Sequence, residues 1–293
     1  MCTLDNIALI NPTETLERGV LAKKVAMEVL QPFTKKVSSY SIEAYNGGTK
    51  FRNGDTIVAR ITPCLENGKT AYIDILDDEE VGFGSTEYLV IRERKGLSDK
   101  HFLYYFSISS EFRDVAILSM TGSSGRQRVQ IDVVRNHSFL IPSLTEQRAI
   151  ASVLSSLDDK IDLLHRQNKT LEAMAETLFR QWFVEETDEG WEIGKIPDEF
   201  DFVMGVSPPG ESYNENGEGV PMYQGNADFE FRFPKRRVFT TDPKRYAEQY
   251  DTLISVRAPV GAQNMADEKC CIGRGVAAFR YKKNNGYYTF TYF

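Results

Sequence analysis

The chain has 293 residues, of which 41% are hydrophobic and 26% charged, a composition typical of a soluble globular protein with one large or two ordinary domains. It contains no apolar run that could span a bilayer, and residues 1–10 lack the basic and apolar regions of a signal peptide, so we expect a cytoplasmic protein. The net charge of −7 disfavours nucleic-acid binding through overall charge, although a local basic surface can coexist with an acidic total.

Residues 1–143 are predicted to form the first of two mixed α+β domains. Short runs of β-branched and aromatic residues alternate there with turn signals such as Asn46-Gly47-Gly48. One helical stretch is predicted around residues 99–118. A polar, glycine-bearing loop at 121–128 follows, and then a strand-like run at 138–141.

Residues 144–186 contain neither glycine nor proline and are predicted to form one long helix. Apolar residues recur at two positions of a seven-residue repeat over five heptads, which is typical of a coiled coil and requires a partner helix. Asn168 lies on this apolar seam, where it either fixes register and partner choice or marks a hydrated point; the pattern leaves both open. The predicted helix-packing residues are Ile150, Leu154, Leu157, Ile161, Leu164, Asn168, Leu171, Leu178 and Trp182.

Residues 187–293 are predicted to form a second, incomplete copy of the first domain. The sequence of residues 55–63 recurs in similar form at 251–259, and that of 88–92 recurs at 276–280. The two matches follow in the same order, and the length difference between them lies in a loop, where it is tolerated. The second copy ends soon after its second matched strand, so we expect it to be truncated.

Several stretches resemble the specificity subunits of Type I restriction-modification systems. Residues 59–63 and 66–69 resemble the middle of a target recognition domain, residues 142–150 resemble its junction with a spacer helix, and residues 179–183 resemble the far end of that helix. The opening at 11–27 is also similar to the start of such a domain. The likeness covers nearly the whole chain, and its motifs follow in the family's order.

The resemblance implies two target recognition domains, each of which reads one half of a split site in double-stranded DNA. It also implies that the chain binds methyltransferase (M) and restriction (R) subunits, which carry the catalysis, and that the chain itself catalyses no reaction. The family has a second spacer helix and a complete second domain, and this sequence lacks both. Self-contained assembly is therefore not expected, and three alternatives stay open: a fragment, a truncated gene product, or a chain that pairs its long helix with a second copy of itself.

The predicted DNA-binding residues lie in two basic segments and in the motif that resembles the middle of a recognition domain. In the loop at 121–128, arginine can fork onto guanine and glutamine can pair with adenine. In the second copy, basic residues interleave with phenylalanines, which suits a groove lined with phosphates. Each of these side chains also suits an ordinary solvated surface. The predicted residues are Arg60, Lys69, Arg126, Gln127, Arg128, Lys235, Arg236 and Arg237.

Other classes of protein are less consistent with the sequence. An adenine methyltransferase needs an aromatic residue where the Ser207-Pro208-Pro209-Gly210 segment has glycine, and it needs a glycine-rich turn for S-adenosylmethionine that the chain lacks. The four cysteines and three histidines have no zinc-ligand spacing, so we expect no metal and no cofactor. A coiled-coil interaction protein with two globular ends and no DNA role would explain the helix and the repeat equally well.

Overall fold

The structure is a computed structural model that describes residues 1–123, 125–186, 190–191, 194–283, 286 and 289–290. Within these residues the chain forms two compact units, Met1–Arg166 and Gln167–Phe293. The predicted class, mixed α+β with one long helix, is confirmed. The domain boundaries at 143 and 186 remain predictions. None of the described helices combines the length and apolar character needed to cross a membrane.

The first unit is built from short strands and helices, followed by the start of the long helix. Its strands are β1 (Cys2–Thr3), β2 (Ala8–Ile10), β3 (Leu21–Val25), β4 (Ser41–Ala44), β5 (Thr49–Phe51), β6 (Thr56–Ala59), β7 (Thr70–Tyr72), β8 (Gly82–Gly84), β9 (Tyr88–Glu93) and β10 (Ser138–Phe139). Its helices are α1 (Leu4–Ile7), α2 (Lys100–Ile108), α3 (Ser110–Leu118) and α4 (Ile131–Asn136), and the long helix is α5 (Leu144–Arg180).

The first unit is layered around the buried strands β6 and β9. They lie at the centre of an antiparallel sheet with the order β2-β9-β6-β7. Because successive side chains of a strand point to opposite faces, Val58 packs towards the helices while Ile57 packs towards a second sheet, of order β4-β3-β8-β5. In that second sheet β3 and β8 run parallel. Burial on both faces explains why Ile57, Val58 and Ala59 form an uninterrupted apolar run in this strand.

The helical stretch predicted at 99–118 is two helices, because Ser109 has an extended backbone (φ −69°, ψ 158°) and its side chain caps α3 by accepting from the Phe112 N–H. Asp99 caps α2 in the same way. The long helix α5 matches the prediction closely, and a π-helical turn at Gln181–Glu185 continues it.

The second unit repeats the strand arrangement of the first. A helical turn, α6 (Ile196–Glu199), precedes its strands, which are β11 (Phe200–Met204), β12 (Tyr213–Asn214), β13 (Val220–Tyr223), β14 (Phe239–Thr240), β15 (Tyr246–Ala247), β16 (Thr252–Ser255), β17 (Gln263–Met265), β18 (Cys270–Ile272) and β19 (Val276–Tyr281). The sheet order β11-β19-β16-β17 corresponds to β2-β9-β6-β7, and the parallel pair of β13 and β18 corresponds to β3 and β8. The predicted duplication is therefore present in the fold.

An ion pair between an arginine and a buried aspartate recurs at the same place in both units. Arg92 Nε and Nη2 donate to the two carboxylate oxygens of Asp55 at 2.6 and 2.7 Å, and Arg280 donates to Asp251 at the same distances. In the first unit Arg92 also donates to Glu14. The paired arginine and aspartate lie on neighbouring strands or at their ends, so the pair ties the two matched segments of each copy together.

Candidate nucleic-acid interface

The loop at 121–128 of the first unit is fixed to the chain that leaves β6. The Thr62 N–H donates to the Gln127 carbonyl at 3.0 Å, and the Val129 N–H donates to the Arg60 carbonyl at 2.9 Å. These segments form a short antiparallel ribbon that carries the loop at its end. Such ribbons are among the elements with which proteins enter a DNA groove.

A carboxylate holds the two arginines of this ribbon together. Arg128 donates to Glu87 Oε1 from Nε at 2.9 Å and from Nη2 at 2.7 Å, and Arg60 Nε lies 3.8 Å from Glu87 Oε2. The hydrogen bond from Arg128 lowers the pKa of Glu87. Arg60 Nε is buried and has no hydrogen-bond partner among the described residues. Two cations thus share one anion, which leaves the Arg60–Glu87–Arg128 cluster with a net positive charge.

Glu87 was not among the predicted site residues. Its signal in the sequence is its position, directly before the strand that begins at Tyr88 and recurs in the second copy. The backbone of Glu87 also takes part in the ribbon, because its carbonyl accepts from the Arg60 N–H at 2.9 Å. The residue therefore orients both arginines through its side chain and one of them through its backbone.

The other predicted residues of the first unit differ in their surroundings. Arg126 is exposed and forms no ion pair with any residue in the described part of the chain, whereas Gln127 is partly buried. Lys69 points into its own domain, where its ammonium donates to the Met27 carbonyl at 2.9 Å. Arg126 is therefore the most accessible of these side chains to a DNA ligand, and a DNA contact by Lys69 would require that internal bond to break.

In the second unit, acidic partners occupy most of the predicted basic cluster. Arg236 Nη2 lies 2.7 Å from Asp267 Oδ2, and Arg237 Nε donates to Asp228 Oδ1 at 3.1 Å. Lys235 is exposed, and its side chain pairs with no carboxylate among the residues that the structure describes. The local charge is thus far lower than the run of basic residues indicates, and the DNA role of this cluster stays a prediction.

The predicted seam of the long helix faces outward. Seven of its large apolar side chains are between 40% and 61% exposed, and Asn168 is exposed, whereas Leu154 is partly buried. The side chains with these exposures are Ile150, Leu157, Ile161, Leu164, Leu171, Leu178 and Trp182. An apolar helical face of this length is stable in water only when another apolar surface covers it.

The first turns of the long helix dock on the first domain through another face. Lys35 Nζ donates to Ser155 Oγ at 2.7 Å, and Lys36 Nζ lies 2.9 Å from Asp162 Oδ2. Burial lowers the pKa of Lys35, and the hydroxyl of Ser155 lies against its ammonium. These polar contacts hold the helix on its domain and leave the apolar seam uncovered.

We expect Glu87→Gln to strengthen non-specific DNA binding several-fold. Removing the shared anion releases two guanidiniums, so the dependence of affinity on salt should steepen by about one unit of slope. The measurement is a titration with random duplex DNA at several salt concentrations. The control is Asp78→Asn, which removes one charge from an exposed residue that has no ion pair within the described residues. Equal gains in both variants would show that the effect is only one of total charge.

The described residues contain no group of three or more His, Cys, Asp or Glu side chains placed to hold a metal ion. Arg60 also lines a groove of about 320 Å³, together with Lys50, Thr86 and Tyr88. This groove adjoins the ribbon, and its polar lining suits a phosphate or a base edge better than an apolar ligand.

Comparison with known proteins agrees with this architecture. Residues 2–173 match the family described as the Type I restriction modification DNA specificity domain. The chain is 30% identical over 315 residues to the type I restriction enzyme MjaX specificity subunit of Methanocaldococcus jannaschii, with 95% of this chain and 73% of that protein covered. It is 33% identical to the EcoAI specificity subunit of Escherichia coli, over 54% of this chain and 28% of that protein.

A solved structure shows the same fold. The crystal structure of the Type-I restriction-modification system S subunit from M. genitalium superimposes with a TM-score of 0.52 at 19% identity, over 96% of this chain and 71% of that one. The family match covers more than half of the chain, and the similarity to the M. jannaschii relative covers nearly all of it. The chain belongs to the Type I restriction modification DNA specificity family.

Proposed function

We propose that this chain is the subunit that recognises DNA sequence in a Type I restriction-modification complex, and that partner M and R subunits carry out methylation and cleavage. The observation that carries the proposal is the duplicated recognition domain of a family whose members are named specificity subunits. The chain itself is not an enzyme. Since its ligand is DNA, we place its action in the cytoplasm.

Each domain contacts one half of a split site in duplex DNA. In the first domain the ribbon places Arg126 at an exposed tip and holds Arg128 in a fixed orientation. Contacts to phosphates set the position of the domain on the duplex, and contacts to base edges in the groove discriminate between sequences. Orientation of an arginine by a carboxylate reduces the conformational freedom that it loses on binding a base.

The long helix supplies the surface for protein partners. Its exposed apolar seam suits helices of the M subunits, which a complex of this class must bring to the DNA. A second copy of the chain offers an equally apolar helix, so self-pairing is the competing occupant of this seam. A coiled-coil interaction protein without a DNA role is not favoured, because it does not account for membership of a DNA specificity family.

The test is co-expression of the chain with the M subunit of its own system, followed by mapping of methylated bases in a random DNA library. We expect a stable complex that methylates DNA at one split sequence. A folded chain that binds the M subunit but directs no sequence preference would contradict the recognition role. A chain that binds only itself would contradict the assignment of the M subunit to the seam.

We expect Arg126→Ala combined with Arg128→Ala to reduce discrimination between target and random DNA by about 10- to 100-fold, the effect of losing bidentate base contacts. Competition binding with the two DNAs measures it. The control is Lys95→Ala combined with Arg135→Ala. Lys95 follows β9 at the end away from Glu87, and Arg135 faces Asp5 near that end. Unchanged discrimination in the test variant would remove the loop from the reading surface.

A further inference from the structure

The second unit has a position that corresponds, bond for bond, to the Arg60–Glu87 contact of the first. In the first unit the residue after β6 donates its N–H to the carbonyl of the residue before β9, from Arg60 to Glu87, at 2.9 Å. In the second unit the residue after β16 donates to the residue before β19, from Val256 to Gly275, also at 2.9 Å. The strands themselves pair in the same antiparallel sense.

The side chains at this corresponding position are different. Gly275 stands where the first unit has Glu87, so the carboxylate that binds the arginines there has no counterpart. Arg274 stands where the first unit has Thr86. Arg257 follows Val256 directly, and a β-carbon built on Gly275 would lie 3.8 Å from Arg257 Cδ. Two arginines therefore flank the point at which the first unit has its acid.

Both arginines are available to a ligand. Arg257 and Arg274 are exposed, and neither side chain forms an ion pair within the described part of the chain. This distinguishes them from Arg232, Arg236 and Arg237 of the same unit, each of which pairs with a carboxylate. Within the described residues, no carboxylate neutralises the positive charge of Arg257 and Arg274. In the basic run at 235–237, by contrast, carboxylates pair with Arg236 and Arg237.

The exposed residue Gln224 lies against the two glycines that flank Arg274. A β-carbon at position 275 would lie 2.1 Å from the carbonyl oxygen of Gln224, and one at position 273 would lie 3.4 Å from Gln224 Cγ. Gln224 therefore packs against Gly273 and Gly275, the glycines on either side of Arg274, and the residue is exposed. The Asp228 carboxylate accepts from the Gln224 N–H at 2.8 Å and also from Arg237.

We propose that Gln224, Arg257 and Arg274 form the DNA-reading surface of the second domain, at the position that Arg60, Glu87 and Arg128 occupy in the first. The proposal rests on the proposed function of the chain and names the residues that carry it in this domain. Arginine forks onto guanine or binds phosphate, and the glutamine amide pairs with adenine. The absence of a carboxylate equivalent to Glu87 gives the two domains different surfaces, which suits two different half-sites.

The test is the double variant Arg257→Ala, Arg274→Ala, studied as a complex with the M subunit by mapping methylated bases in a random DNA library. We expect the preference at one half of the split site to fall on the order of 10- to 100-fold while the other half is kept. The variant Arg126→Ala, Arg128→Ala in the first domain should affect the opposite half.

The matched control is Lys195→Ala combined with Lys283→Ala. These exposed residues lie at the other end of β19 from Gly275, so their loss removes the same charge from the same unit. A double arginine variant that folds normally and keeps both half-site preferences overturns the proposal, as does one that alters the same half as the first-domain variant. A wild-type complex with no sequence preference would instead overturn the function on which the proposal rests.

Discussion

Replacing Arg92 with methionine is expected to destabilise the first domain by about 3–5 kcal/mol, because removal of one partner leaves buried charges uncompensated. The Asp55 side chain is fully buried and that of Glu14 is 5% exposed, and both accept hydrogen bonds from Arg92. Methionine retains most of the apolar volume of the arginine stem, so the loss reports on the charge rather than on packing. The loss of stability is measured for each domain separately by chemical denaturation, with unfolding monitored through hydrogen exchange of individual peptides.

The size of this loss should depend on pH. Burial is the largest influence on the Asp55 carboxyl and raises its pKa, and without Arg92 its strongest opposing hydrogen bond is gone. A raised pKa in the folded state means that the unfolded state releases its proton first, so stability falls as pH rises above the unfolded value of about 3.9. The variant is therefore expected to lose more stability at pH 7 than at pH 5.

Arg280→Met in the second unit is the matched comparison. Arg280 makes the same two bonds to Asp251, but its side chain is 42% exposed against 22% for Arg92, and no second carboxylate shares it at hydrogen-bond distance within the described residues. Water can replace part of the interaction, so we expect a smaller loss, about 1–3 kcal/mol. Equal losses in both variants would contradict the argument from burial.

Substituting lysine for Leu157 and Leu171 is expected to weaken binding of the helix to its partner on the order of 100-fold. Each leucine is more than half exposed, and burying this exposed surface against a partner contributes roughly 1 kcal/mol or more to binding. The lysine variant loses this contribution and must also desolvate a new charge on binding. Binding to the M subunit is measured by calorimetry, and self-association of the chain alone by sedimentation. Loss of both would show that one seam serves both partners.

The control for this experiment carries the same added charge on another face of the helix. Ser156→Lys combined with Ala173→Lys places two lysines at exposed positions outside the seam. Helical content should change little in either double variant. Lysine and leucine have similar helix propensities, and in the control the gain from replacing serine offsets the loss from replacing alanine. If the control weakens binding as much as the test variant, the partner does not use the predicted seam.

The periodic features of this protein could be predicted from its sequence alone. The long helix follows from a stretch without glycine or proline, and its outward seam follows from apolar residues at heptad spacing, because both depend only on neighbours along the chain. The duplication was visible because each copy keeps a buried strand that starts after aspartate and a later strand that contains arginine. The break at Ser109 was missed because a serine that caps one helix also occurs inside a continuous one.

The electrostatic state of the candidate DNA surface was decided by tertiary structure. Arg128 is bound by Glu87, which lies 41 residues earlier in the chain, and Arg236 is bound by Asp267, which lies 31 residues later. No local pattern contains such pairs, because they depend on which strands become neighbours. The sequence therefore predicts more positive charge at 235–237 than the folded segment presents. Arg257 and Arg274 are separated in sequence, and they flank Gly275 only because β16 pairs with β19.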